Sequence, residues 1–283
     1  MTPTNESNLD DVHLRIRWCG VTDRGRVKVQ NEDSFLGVKL AGRDIALLGR
    51  TGEESIQSGD FIFAVSDGMG GAKAGGFASQ VAIQKITTLL PNVFKQSAAG
   101  LKVGFADIFV ELFDQIHKSL SMLERSYEEC AGMGTTLSLC WFKDSWMYFG
   151  HVGDSRIYYL SNRSGLLKQL SEDDTHVGWL YRHGKISERE ARDHPRRHIL
   201  QNALGGGHQF MQPQVGAVAF EKGDVFLLCT DGLIDGLSED QILRNIREPQ
   251  EGLPKTNPSQ RLVEKALEQS GKDNTTAIVI EII

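Results

Sequence analysis

Two spacings of apolar residues alternate along this chain. Leu14, Ile16 and Trp18 fall at every second position, so residues 13–19 are expected to form a half-buried strand. Residues 61–66 are a continuous apolar run, which predicts a strand buried on both faces. After a glycine cluster the period lengthens: Ala78, Val81, Ala82, Ile86 and Leu89 mark a helix over 77–90 that Pro91 is expected to close. A second helix over 103–124 would bury Ile108, Phe109, Leu112, Ile116, Leu120 and Leu123. The short period then returns at 135–142, 146–152, 156–160 and 166–170. These runs are separated by Lys-Asp-Ser, Gly-Asp-Ser and Asn-Arg-Ser-Gly turns, which predict antiparallel neighbours. Further strands are expected at 215–220, 225–230 and 276–283. Ser238 with Gln241 opens a helix to about 247, and a last helix over 260–269 ends before Gly271.

Three segments fall outside these periods. Residues 1–12 are polar and read as a disordered tail. Residues 39–60 are rich in glycine and charge, and are expected as a surface loop or hairpin inserted between two strands. Residues 171–207 carry two short helical patterns, one opened by the capping box of Ser187 and Glu190, and read as an exposed subdomain folded over the sheet. Strands, two helices, strands, two helices and a strand predict an α+β fold: antiparallel sheet layers with helices outside, not alternating βαβ units. No tandem repeat interrupts this order.

Composition narrows the class. With 283 residues and 40% hydrophobic side chains, the chain can build a substantial core and is not intrinsically disordered. Its net charge of −6, from 31 basic and 37 acidic residues, carries no basic stripe, so nucleic acid is not an expected partner. No apolar run is long enough to span a bilayer, and the polar start lacks a secretory core; a cytoplasmic location without membrane attachment is expected. Cys19, Cys130, Cys140 and Cys229 show no metal-ligand spacing and read as small buried hydrophobes.

The candidate chemistry lies in four aspartates at turns beside apolar runs: Asp33 in Asn-Glu-Asp, Asp67 in Asp-Gly-Met-Gly-Gly, Asp231 in Thr-Asp-Gly and Asp273 in Lys-Asp-Asn. Asp67-Gly68 and Asp231-Gly232 each follow a buried strand, which fixes where the carboxylate points. The glycine leaves the backbone open to close approach by an ion. Taken singly, each Asp-Gly is an ordinary turn. Together the four imply a site that the fold assembles, because carboxylates gathered in one place need a hard cation to offset their repulsion. All-oxygen ligands favour Mg²⁺ or Mn²⁺ over Zn²⁺. Two such ions about 3.5–4 Å apart would activate a shared water for attack on phosphorus.

In these motifs the chain resembles the metal-dependent protein phosphatases of the PP2C (PPM) family in its compact bacterial form, over residues 13–283. The matching segments, in family order, are Thr22-Asp23-x-Gly25 with Asn31-Glu32-Asp33-Ser34, Asp67-Gly68-Met69-Gly70-Gly71, Gly132-Met133-Gly134-Thr135-Thr136, His151-Val152-Gly153-Asp154-Ser155-Arg156, His194-Pro195-Arg196-Arg197, Cys229-Thr230-Asp231-Gly232-Leu233 and Asp273-Asn274-Thr275-Thr276. The resemblance implies a four-layer αββα sandwich of two antiparallel sheets flanked by helix pairs. It implies two ions, Mn²⁺ or Mg²⁺, held by Asp33, Asp67, the Gly68 carbonyl, Asp231 and Asp273, with Asp67 bridging. A third, weaker metal falls to Asp154 with Asp231, and Asn274 stands behind the ligands. Residues 171–207 correspond to the family's flap. The implied activity is hydrolysis of phosphoserine and phosphothreonine on proteins by a metal-activated water. The implied partners are phosphoprotein substrates and a serine/threonine protein kinase; a monomer is expected.

Two positions depart from the pattern. Lys28 stands where the family usually places a phosphate-binding arginine, and lysine lacks the planar bidentate fork. Ala72 stands where many bacterial relatives carry histidine. These departures keep two alternatives open: a weakly active or inactive phosphopeptide-binding module, and a hydrolase of small phosphomonoesters. His176, His183, His194, His198 and His208 are read as solvated or phosphopeptide-facing, Arg196 and Arg197 as substrate-attracting or plain surface charge, and Asp235 as a turn or cap residue.

Overall fold

The computed structural model describes residues 14–42, 44–71, 74–98, 104–247 and 257–283, with 91–98 described as backbone only. The expected tail (1–12) and Ala72 lie outside the described residues. Two sheets form the centre. The first joins β10 (Leu167–Gln169), β9 (Arg156–Leu160), β13 (Val225–Cys229), β14 (Thr275–Ile282), β1 (Arg15–Asp23) and β4 (Thr51–Ser55), in that order. The second runs β3 (Asp44–Leu47), β2 (Asp33–Ala41), β5 (Asp60–Met69), β7 (Leu137–Lys143), β8 (Trp146–Val152) and β12 (Gln214–Ala219); β6 (Gly134–Thr135) also pairs with β5, and β11 (Leu204–Gly205) with β6. Each of these pairings is antiparallel, as the short turns predict.

The burial pattern explains the runs. Phe61, Phe63 and Val65 of β5 face Phe142, Met147, Phe226, Ile278 and Ile280 in a core between the sheets. The intervening Ile62 and Ala64 face the other way, onto α1 (Ala74–Ala98) and α2 (Phe105–Ser126). A strand covered on both faces has no place for polar side chains, hence the unbroken run. On the far side, Leu227, Cys229, Ala277 and Val279 pack on α5 (Asp231–Gly236), α6 (Glu239–Arg247) and α7 (Pro258–Gln269) through Leu233, Ile242, Leu262 and Ala266. The layers are therefore helices, sheet, sheet, helices. All four cysteines are free and buried.

Several local expectations need correction. Pro91 does not close α1, which continues to Ala98. A proline removes only one backbone donor, and the preceding turns are anchored by the buried Ala82, Ile86 and Leu90. The strand expected over 135–142 breaks at Thr136, whose backbone N–H donates to the Asp67 carbonyl (2.9 Å). Residues 39–60 are not one hairpin: β3 extends the second sheet through β2, whereas β4 forms an edge of the first through β1. The 171–207 segment holds α3 (His176–Arg182) and α4 (Glu188–Arg192), yet its end is not separate from the sheet, because β11 pairs with β6.

Candidate metal centre

The sheet ends deliver the aspartates to one edge. Asp33 opens β2 and Asp67 lies near the end of β5; the two are register partners. Asp231 follows β13, and Asp273 precedes β14. Asp33, Asp154 and Asp231 are buried, Asp67 and Asp273 half-buried. Gly68 has no room for a side chain: a Cβ there would lie 2.0 Å from the Gly75 carbonyl oxygen and 2.9 Å from that of Glu32. Glycine is thus required where the chain turns past the carboxylates.

Hydroxyls orient Asp33. Thr230 and Thr276 donate to its Oδ2 at 2.7 and 2.6 Å. The Asn31 amide can only donate to Thr22 Oγ1 (2.8 Å), so the Thr22 hydroxyl is free to donate onward to Thr276 Oγ1 at 2.7 Å. Oδ1 of Asp33 and Oδ1 of Asp231 are buried and accept no hydrogen bond. Unpaired buried carboxylate oxygens are costly unless a cation takes them, so the residues present fit a hard divalent ion.

The electrostatics agree with that geometry. Burial pushes the Asp33 carboxyl up to about 7; the two threonine hydroxyls oppose this, and Asp231 and Asp273 add to it. Asp67 is raised well above the usual range, first by burial and then by Asp33, Asp231, Asp154 and Asp273. Asp154 is raised too, by burial and by Asp231 and Asp173, while His198 pulls it down. These mutual effects bring Asp33, Asp67, Asp154, Asp231 and Asp273 into one charge cluster.

Two cations of the protein border it. Lys28 Nζ lies 2.8 Å from Asp273 Oδ1 and 3.8 Å from Glu32 Oε2. Burial lowers its basicity, but Asp273, Glu32 and Asp67 outweigh this and hold the ammonium above its usual range. From the flap, His198 Nδ1 sits 3.0 Å from Asp231 Oδ2, and Nε2 sits 3.5 Å from Asp235 Oδ2. Those two carboxylates raise the imidazole to about 10. Among the described residues, Asp154, His198 and Asp231 are the one group of three or more whose metal-ligating atoms all lie within 4.8 Å of one another. His198, read from sequence as solvated or phosphopeptide-facing, is exposed and also borders this cluster. Asp235 is no mere turn residue: Arg197 forks it at 2.9 and 3.3 Å, and Asp235 is pulled down to about 2 because His198 and Arg197 outweigh its burial. Nothing in the flap's irregular charge pattern distinguishes His198 from its neighbours.

Asn274 sits beside the cluster rather than in it. Its Oδ1 accepts from the Glu32 N–H (2.8 Å), and its Nδ2 donates to the carbonyls of Arg24 (2.8 Å) and Gln30 (2.9 Å). One buried side chain therefore fixes the loop that carries Lys28. The Gly205–Gly207 run is left-handed throughout and lies against α2, with the Gly205 and Gly207 N–H groups donating to the side chains of His117 and Glu124. A cavity of about 380 Å³ opens from Asp154 and Asp231 under α3 and α4, past Arg156, Tyr158 and Tyr181.

Known proteins share this arrangement of elements. The serine/threonine protein phosphatase PstP of Mycobacterium tuberculosis is 32% identical over 275 residues, 96% of this chain; the chain spans about half of that relative's length (46%). The serine/threonine phosphatase stp of Listeria monocytogenes is 32% identical over 92% of this chain and 93% of its own. The crystal structure of the PstP catalytic domain in complex with two manganese ions superposes with a TM-score of 0.72 at 29% identity, covering 95% of this chain and 99% of that one. A family model described as Protein phosphatase 2C matches residues 52–268, and the chain belongs to that family.

Proposed function

We propose that this chain hydrolyses phosphoserine and phosphothreonine on proteins, using a divalent-metal centre built on Asp33, Asp67, the Gly68 carbonyl, Asp231 and Asp273, with a weaker position at Asp154 and Asp231. The observation that carries this reading is the unpaired, buried Oδ1 of Asp33 and of Asp231 within one cluster of carboxylates. Family membership and the manganese in the PstP structure support it. When bound, divalent cations supply charge neutralisation and an activated water.

The chain's own residues do the rest. Thr230 and Thr276 hold one oxygen of Asp33 and leave the other free. Asp67, on a rigid strand end beside Asp33, would be one of the carboxylates that hold the metal. Lys28 brings a positive charge to the lip, where substrate phosphate would arrive, and Asn274 holds its loop. The cavity under the flap leaves space for side chains flanking the phosphorylated residue. Mn²⁺ or Mg²⁺ is the expected metal, and a serine/threonine protein kinase the expected counterpart. Among the described residues no helix is long and apolar enough to cross a membrane; a cytoplasmic monomer is the reading we adopt.

The test is phosphate release from a phosphothreonine peptide with Mn²⁺, with EDTA, and in Asp67→Ala and Asp231→Ala. Release that needs Mn²⁺ and is lost in both variants is expected. Peptide binding without turnover would replace this reading by a recognition module. Faster hydrolysis of a sugar phosphate than of the peptide would replace it by a small-molecule phosphatase.

A further inference from the structure

We propose that Lys28 is a displaceable counter-ion: its ammonium neutralises Asp273 until a divalent ion claims that carboxylate, and is then released toward the substrate phosphate. The proposal rests on the reading above, in which Asp273 is a metal ligand.

The geometry sets the two roles in competition. Nζ of Lys28 sits at hydrogen-bond distance from Asp273 Oδ1 (2.8 Å), with Glu32 Oε2 behind it at 3.8 Å. The pair lies at the rim of the cluster, with Lys28 39% and Asp273 33% exposed, so both solvent and an incoming ion can reach it. The Asn274 N–H already donates to Asp273 Oδ1 (2.8 Å), so that oxygen is shared before any metal arrives. An ammonium and a divalent cation on one carboxylate repel each other, so each weakens the hold of the other.

The surroundings decide which one moves. The loop backbone is pinned on both sides of Lys28. The Arg26 N–H donates to the Gly271 carbonyl (2.8 Å), and Asn274 holds Arg24 and Gln30. The mobile part is the lysine side chain, a point charge on a flexible stem; an arginine fork would hold the carboxylate at two points and release it less readily. Val27 and Val29, on either side of Lys28, are 69% and 78% exposed, so nothing in the described structure blocks the side chain from swinging outward. Metal binding and phosphate binding are thereby coupled through one ammonium, and the coupling is reciprocal.

The test uses the full chain, stripped of metal, with Mn²⁺ and then inorganic phosphate as calorimetric probes. Lys28→Met and Lys28→Gln should each bind Mn²⁺ about tenfold more tightly than the original chain, because the competitor is gone. Their Mn²⁺-loaded forms should bind phosphate about tenfold more weakly. Lys28→Arg keeps the charge and should return Mn²⁺ affinity to the original value or below it. Unchanged or weaker Mn²⁺ binding in both neutral variants overturns the proposal, as does phosphate affinity that ignores them. The two readings fail separately: a chain that binds Mn²⁺ but hydrolyses no phosphopeptide defeats the phosphatase assignment, whereas unaltered metal affinity in the neutral variants of an active enzyme defeats only the role of Lys28.

Discussion

Asp33 and Asp67 face each other as register partners across β2 and β5; burial raises both carboxyls, with Asp231 and Asp273 adding to the rise at Asp33 and Asp33 adding to it at Asp67. The pH dependence of stability follows. Asp33 titrates near 7 in the folded chain against 3.8 as a free side chain. Between those values the folded state keeps a proton that the unfolded state has lost, so unfolding becomes easier as pH rises through the window. Above about 7 the full penalty applies. In EDTA, the melting temperature should fall from pH 5 to pH 8. With saturating Mn²⁺ the slope should flatten, because the ion takes the charge the proton otherwise offsets. Calorimetry at several pH values checks both; a melting temperature in EDTA that rises over that range contradicts the account.

The same repulsion predicts a trade between stability and activity at Asp67. Asp67→Asn removes one charge from the cluster and keeps the shape. The metal-free variant should be more stable by about 1 kcal/mol, or roughly 2–4 °C in melting temperature. It should also lose the further rise that Mn²⁺ gives the original chain, together with phosphatase activity. Parallel melts with and without Mn²⁺ separate these effects, and a less stable metal-free variant would refute the argument.

How much of this was readable beforehand depended on the range of the signal. The carboxylates of Asp67 and Asp231 were legible because each ends an apolar run and precedes glycine, a pattern contained in a few residues. The sheets were legible for the same reason: Phe61 to Val65 and Phe226 to Cys229 can only be buried strands. Partners far apart in sequence were not legible. Lys28 meets Asp273 only because β1 and β14 pair, with Asp23 opposite Thr275. His198 reaches Asp231 only because the flap, which has no apolar period of its own, folds back on α5. Pro91 misled because a rule about isolated helices met a helix already anchored by packing.

Asn274 provides a stability test that rests on hydrogen bonds to the backbone. Its side chain makes three hydrogen bonds to the backbone of residues 24–32 and is buried. Asn274→Ala leaves a backbone N–H and two carbonyls short of partners, at a cost of about 2–3 kcal/mol. The loop then no longer fixes Lys28. A lower melting temperature is expected together with a raised KM for phosphopeptide, while Asn274→Asp, which sets a charged acceptor against the Arg24 and Gln30 carbonyls, should be no milder than Ala. Denaturant unfolding and steady-state kinetics on the same preparations test this. An Ala variant with unchanged KM would detach the loop from substrate binding.

Residues 171–207 are tied to α5 by ion pairs, which makes this anchoring dependent on pH. Arg197 forks Asp235, His198 spans Asp231 and Asp235, and Arg192 donates to the Ile234 carbonyl at 3.1 Å. Asp235 is depressed to about 2 from 3.8, so its contribution is present above 3.8 and is lost as pH falls through about 2. His198 is raised to about 10 from 6.5, so its contribution is complete below 6.5 and is lost as pH rises through about 10. The anchor is therefore strongest between 3.8 and 6.5. Asp235→Ala removes the target of Arg197 and the longer of the two His198 contacts, and should raise the rate of tryptic cleavage within 182–197 about fivefold near neutral pH, the effect of ~1 kcal/mol on local opening. Because the change leaves the buried Leu233 of α5 and Leu237 just after it in place, the global melting temperature should move little. Cleavage of the original chain should itself quicken from pH 7 to pH 10, and a flap equally resistant at both would show that something other than these ion pairs holds it down.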